Sequence, residues 1–449
     1  MKEAAQRPVA EGAAGLVPPG SVRSANFALG VFLAAYILSF VDRQILSLMV
    51  EPIKRDLGIS DLQIGLLQGL AFALLYSVIG VPIGLLADRV SRRRIIACGV
   101  VFWSVCTALC GFAGSFAHLF AARMGVGVGE AALSPAAHSS LGDAFPPARL
   151  ARAMAIYTLG ITVGTGVALM VGGSVVDAVT ARGDLVLPLL GVRHAWQAAF
   201  FAVSLPGIAV AAFVAMTREP KRAVRHADAR HGIGALLAYL VANRRAFAAI
   251  YGNSTILGIM GYGLVAWYPT LLIRQFGISA GQAANYLGIV YLVIGSAGSL
   301  AGGLLAERLA RQGHADANLR VVMLISAAAI VPATFAPLMP SPLLVMALFA
   351  PLTFMFSGYF GCSIAAIQLA TPNGMRATNA AVFLLSNSLI GLSIGAAIIP
   401  LVDKWLFGGH GAIGPALSLV GGACCTLGAI AARIGLPAYG AIVSASSAK

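Results

Sequence analysis

Gly84-Leu-Leu-Ala-Asp88-Arg89 closes one long apolar run, and Gly303-Leu-Leu-Ala-Glu307-Arg308 closes another in the second half of the chain. A second echo, Arg152-Ala153 against Arg376-Ala377, lies at nearly the same offset. Punctuation that recurs at one long period marks a chain built twice on one plan. The runs between the punctuation decide what that plan is.

Of the 449 residues, 59% are apolar and only 10% charged, with a mean hydropathy of +0.88. A soluble domain carries about a quarter charged residues, and a water-facing surface cannot be covered with fewer than half that number. Lipid must therefore solvate this chain. A bilayer core takes about 20 apolar residues as a helix, and twelve runs are long enough. They cover 27–50, 62–86, 95–114, 116–142, 153–178 and 195–216, then 246–273, 281–306, 320–339, 342–369, 377–402 and 412–438. The expected fold is an all-α membrane protein of twelve helices in two pseudo-symmetric six-helix bundles, 25–216 and 246–440. A polar linker, 217–245, joins them, and tails at 1–24 and 441–449 flank them.

Lys and Arg set the orientation. With both termini cytoplasmic, 22 of the 30 basic residues fall on the cytoplasmic side and 6 on the other, leaving Arg43 and Arg123 inside spans. This clustering in short loops also accounts for the net charge of +14 without nucleic acid, because polybasic loops face anionic lipid. The polar start of the chain reads as a tail, and the apolar run after it is too long for a signal peptide. All six cysteines lie in apolar runs without zinc-site spacing, so they read as small buried hydrophobes. No cofactor or metal is expected. Gly125-Val-Gly127-Val-Gly129 lacks the preceding strand that a dinucleotide loop needs, and nothing resembles a nucleophile elbow or a metalloprotease motif, so catalysis has no candidate site.

The run Gly84-Leu-Leu-Ala-Asp88-Arg89-Val-Ser91-Arg92-Arg93-Arg94 resembles the signature that the major facilitator superfamily carries between spans two and three, with Ser91 where a glycine is usual. The glycines of span five, Gly160, Gly164 and Gly166, fit as well. Phe40-Val-Asp42-Arg43, Arg123-Met-Gly-Val-Gly-Val-Gly-Glu130-Ala and Asp143-Ala-Phe-Pro146 resemble the Spinster lipid-transporter branch. The resemblance implies a proton-dependent carrier of lysolipids or sphingosine-1-phosphate-like amphiphiles, working by alternating access. It also implies gating by Asp88, Arg89 and Arg92, with Glu307 and Arg308 as a reduced copy. The Ala- and Arg-rich composition favours a bacterial plasma (inner) membrane, and a monomer is expected.

An ionisable residue at a span's centre costs about 2.5–3.5 kcal/mol on the insertion scale and is a functional candidate by default. Asp42, Arg43, Arg123 and Glu130 are four such residues. Arg123, Gly127, Glu130, Ser134 and His138 follow helical spacing and fall on one stripe of span four. Asp42 is expected to meet Arg123, while Arg43 points about 100° away from Asp42 and makes a different contact. Asp42, Arg123 and Glu130 are the expected proton-coupling set, with His138 a relay candidate. Arg43, Arg123 and Glu130 are also candidates for a headgroup. The second half has almost no charge at depth and offers Asn253, Tyr262, Trp267, Tyr359, Phe383 and Asn387 for apolar and hydrogen-bond contact. A proton-coupled multidrug or organic-anion carrier shares every superfamily feature, and a non-transporting receptor is the reading from another class.

Overall fold

The structure is a computed structural model that describes residues 19–87, 89–187, 191–220 and 233–447. The N-terminal tail up to residue 18, Asp88, residues 188–190, linker residues 221–232 and the last two residues of the C-terminal tail lie outside the described residues.

Among the described residues, eleven helices are long and apolar enough to cross a membrane. Span one is Pro19–Gln44, continued by a 3-10 turn; its start at a proline is favourable, because the missing N–H has no helical partner there anyway. Span two is Asp61–Gln68 and Leu70–Ala87, span three Arg92–Cys110, span five Pro147–Arg182 and span six Ala195–Met216. The second half runs Arg244–Phe276, Ala280–Arg311 (with a π turn at Val290–Gly295), Ala317–Phe335, Pro342–Ala370, Arg376–Leu406 (with a π turn at Asn387–Leu392) and Ile413–Ser447. These are spans seven to twelve. A short helix, Ile233–Ala242, occupies part of the linker.

The twelfth expected span is the fourth, and it is not continuous. It consists of Phe116–Glu130 and Leu133–Ala144, separated at Ala131 and Ala132. Pro135 accounts for the break: it has no N–H for the carbonyl of residue 131, and its ring crowds that carbonyl. A second departure from the all-helical expectation is a small antiparallel hairpin between spans five and six, Leu185–Leu187 with Gly191–Arg193.

An even number of passes brings the first and last helices to one side, here called the tail face, and the opposite side is the far face. Toward the far face a single apolar core joins both halves, running from Val41, Ile53 and Phe200 to Trp267, Leu287 and Ala396. Toward the tail face the cores separate. One is built from first-half residues such as Phe32, Trp103 and Tyr157, with Leu392 reaching across, and two are built from second-half residues. The lobes are thus closed against each other at the far face and part toward the tails. Gly69 permits the closure, since a Cβ there would sit 2.5 Å from the Leu392 carbonyl oxygen.

Candidate functional site

Arg43 lies in the last turn of span one and Glu130 ends the first piece of span four. Their side chains meet, with Nη2 and Nε of Arg43 at 2.5 and 2.7 Å from the same oxygen, Oε2 of Glu130. The Glu130 side chain is fully buried, whereas that of Arg43 is 20% exposed, so the arginine is the open side of the pair. Its guanidinium carbon stands 4.4 Å from the Phe72 ring centroid, 5.2 Å from Tyr76 and 5.3 Å from Phe40. Aromatic faces of this kind stabilise a cation that has left water. Span four reaches this position because Gly127 lets it lie on span two; a Cβ there would be 2.4 Å from the Phe72 carbonyl oxygen.

Asp42 and Arg123 do come together, but not as an ion pair. Nη1 of Arg123 donates to the main-chain carbonyl of Asp42 at 3.0 Å. Neither carboxylate oxygen of Asp42 accepts a hydrogen bond, nor does Oε1 of Glu130, although all three are buried. Thr107 and Trp103 of span three stand beside the Asp42 carboxylate. The expected Asp42–Arg123 side-chain pair is therefore replaced by an Arg43–Glu130 pair, with Arg123 holding the backbone between them. The rotation between adjacent helical residues is the reason: Arg43 points toward span four while the Asp42 side chain turns toward span three. A buried carboxylate without a partner is costly unless it carries a proton or releases one on cue.

His138 does not continue a straight stripe, because the break at Ala131 and Ala132 intervenes. Its ring is exposed and stands edge-on to Tyr157 at 5.0 Å. Tyr157 stacks on Tyr36 at 5.0 Å, and Tyr36 meets Phe40 at 5.3 Å. The ladder leads from the Arg43 surround toward the tail face.

From the second half, Tyr262 of span seven lies within electrostatic reach of Arg43 and Tyr36. Behind it stand Tyr359 and Asn387, the latter in the span-eleven π turn and donating to the Ser254 carbonyl at 3.0 Å. Asn253, Trp267 and Phe383 are placed differently. Asn253 ties span seven to Ser326 and to the Gly428 carbonyl, at 3.2 and 2.6 Å. Trp267 donates to the Ala396 carbonyl at 2.7 Å, and Phe383 is wedged between Tyr251 and Phe360. All three are buried within helix packing.

At the tail face Arg92 is buried and pairs with Asp143 at 2.6 Å, while its Nη1 donates to the Ser139 carbonyl. Glu219 caps the start of span three, accepting from the Ser91 hydroxyl and from the Arg92 N–H. Arg89 and Arg308 are exposed, and exposed Glu307 lies 3.6 Å from Arg311 one turn on.

Sequence reasoning missed a cluster at the far face. Arg274, at the end of span seven, grips Asp61 through both Nη groups at 2.7 and 2.8 Å and Glu51 through Nε at 2.5 Å. Lys54 joins Asp61 at 2.6 Å. Nearby, Asp177 of span five accepts from the Gly281 N–H and the Ser279 hydroxyl at the start of span eight. Both contacts cross between the halves. The available signal was acids and bases flanking spans one, two and seven, which the sequence reading used only for orientation. Among the described residues no cluster of His, Cys, Asp or Glu is fit to hold a metal.

Two helical lobes that close at the far face and part toward the tails, with charged residues buried at depth in the first, have the form of a membrane carrier, and the sequence agrees. Residues 32–396, most of the chain, match the family model described as Major Facilitator Superfamily. The chain belongs to that superfamily and is a multi-pass membrane transporter, not an enzyme. Within it the chain is similar to Spinster proteins. A solved structure of a bacterial homologue of the human lysosomal transporter Spinster, inward-facing and unoccupied, is 27% identical, with a TM-score of 0.75 and 96% of each chain covered. Protein spinster of Drosophila melanogaster is 25% identical over 66% of this chain and 49% of its own length. An MFS-type efflux pump of Mycolicibacterium smegmatis is 29% identical over 91% of this chain and 92% of its own.

Proposed function

We propose that this transporter moves lysolipid or sphingosine-1-phosphate-like amphiphiles by alternating access, coupled to protons, with both termini cytoplasmic. The observation that carries the reading is the Arg43–Glu130 pair, open on the arginine side and set beside the unpartnered carboxylate of Asp42. While Glu130 is ionised it holds Arg43. Protonation removes the charge that holds it and frees the guanidinium for an anionic headgroup. Asp42 is the second proton site, and Arg123 fixes the backbone that carries both Asp42 and Arg43.

The aromatic surround and Tyr262 supply the wall that a weakly polar, chain-bearing ligand needs. Lobes that part toward the tails support an inward-open state, and the 22-to-6 bias in basic residues supports tails in the cytoplasm.

The test is uptake of labelled lysophospholipid into proteoliposomes, with and without a pH gradient, for wild type and Glu130→Gln. Gradient-driven flux that the variant loses is the expected result. Flux with wild-type pH dependence in Glu130→Gln overturns the coupling role. A second reading, proton-driven export of drugs or organic anions, draws on the efflux pump that aligns over most of the chain; absence of lysolipid flux with transport of such compounds selects it. Binding without flux selects a receptor.

A further inference from the structure

Away from the space between the lobes, spans one and six frame an apolar groove of about 320 Å³ lined by Phe27, Gly30, Val31, Ala34, Val210 and Phe213. It lies on the outside of the first half. Residues 27–34 follow the start of span one and residues 210–213 precede the end of span six, so the groove sits in the leaflet next to the tail face. Its floor is Gly30, where a Cβ would meet nothing within 4 Å. Phe27 and Phe213 stand as walls, 43% and 50% exposed.

The groove ends in positive charge on both sides. Arg23 precedes Phe27 by four residues and Gly30 by seven, so it shares their helical stripe, and it is exposed. On the other wall, the residue four beyond Phe213 is Thr217, whose carbonyl accepts Nη1 of Arg93 at 3.2 Å. That contact uses one of the five N–H groups of the guanidinium fork and holds it about one helical turn beyond the Phe213 wall. The nearby acid, Glu219, is already taken by the Ser91 hydroxyl and the Arg92 N–H.

We propose that this groove is a binding site for a resident anionic phospholipid, with one acyl chain between spans one and six and its phosphate received by Arg23 and Arg93. Arginine suits the role because its fork matches phosphate oxygens. The apolar lining takes a chain and nothing polar. Such a lipid bridges spans one, three and six and braces the half of the protein that carries Arg43 and Glu130. The site is separate from the transport path, so it stands whatever the transported substrate is.

The test uses the purified full-length protein, stripped of lipid in detergent and titrated with phosphatidylglycerol or phosphatidylcholine, with bound lipids counted by native mass spectrometry. The first phosphatidylglycerol is expected to bind about tenfold more tightly than phosphatidylcholine, two basic contacts at the membrane surface being sufficient for that ratio. Arg23→Gln with Arg93→Gln is expected to erase the preference. Gly30→Leu, which fills the groove where space is open, is expected to remove the tight adduct without lowering the melting temperature of the lipid-free protein. Glu130→Gln is expected to retain the adduct. Equal binding of the two lipids by wild type, or a tight first adduct surviving in Gly30→Leu, overturns the proposal.

Discussion

Arg43 and Glu130, 87 residues apart, meet at one carboxylate oxygen that accepts two N–H donors, and with the Arg123–Asp42 carbonyl bond it ties span one to span four. The other oxygen of Glu130 is buried without a partner. Removing one member of a buried ion pair leaves the other uncompensated, at about 3–5 kcal/mol. Arg43→Gln is therefore expected to lower the melting temperature more than Glu130→Gln does, because a lone buried carboxylate stays behind while a lone arginine remains partly exposed. Thermal unfolding in detergent at neutral pH checks the order, and lowering the pH is expected to narrow the gap as Glu130 takes up a proton.

Asp42 predicts a separate signature. Its carboxylate has no ion-pair partner and stands beside the Thr107 and Trp103 side chains, which the amide oxygen of an asparagine can still face, so Asp42→Asn removes a charge and the fold is expected to survive. Proton-driven uptake is expected to fall on the order of tenfold, about 1.4 kcal/mol, while exchange without a gradient is retained. Equal loss of both activities would assign Asp42 a structural role.

Arg274 predicts the stability of the closed far face. It holds Glu51 and Asp61 of the other half at 20% side-chain exposure. Each partly screened pair is worth up to about 1 kcal/mol, so Arg274→Gln is expected to raise the far-side-open population severalfold. Distances between spin labels at residues 182 and 404 measure it. Exchanging the charges, Arg274→Asp with Asp61→Arg, is expected to restore much of the closed distance.

Gly127 predicts a packing limit. A methyl group there meets the Phe72 carbonyl oxygen at 2.4 Å, so Gly127→Ala must push span four off span two. Overpacking costs about 1–3 kcal/mol. The expected outcome is a lower melting temperature together with weakened transport, since the Arg43–Glu130 pair is carried on those helices. Unchanged melting would show that the two spans yield freely.

Much of this molecule was legible before any coordinates. Composition named lipid as the solvent, run lengths placed the spans to within a few residues at most ends, and the echo of Asp88-Arg89 in Glu307-Arg308 disclosed the two halves. The four charges at depth were visible because each is so unfavourable there. These readings rest on properties that accumulate along the chain, where every residue reports on its own cost in lipid.

Partner choice was not legible. Asp42 and Arg43 differ by one position in sequence and by about 100° around a helix, and only the packing of spans one, two, three and four decides which of them faces Glu130. The tertiary structure alone gave Arg43 to Glu130 and the Asp42 carbonyl to Arg123, and placed Trp267 and Phe383 inside helix packing. It also brought Arg274 to Asp61 across the two halves. Solvent cost is a property of single residues and can be read along the chain, whereas an ion pair depends on the rotation and depth of two helices at once, which local spacing does not contain.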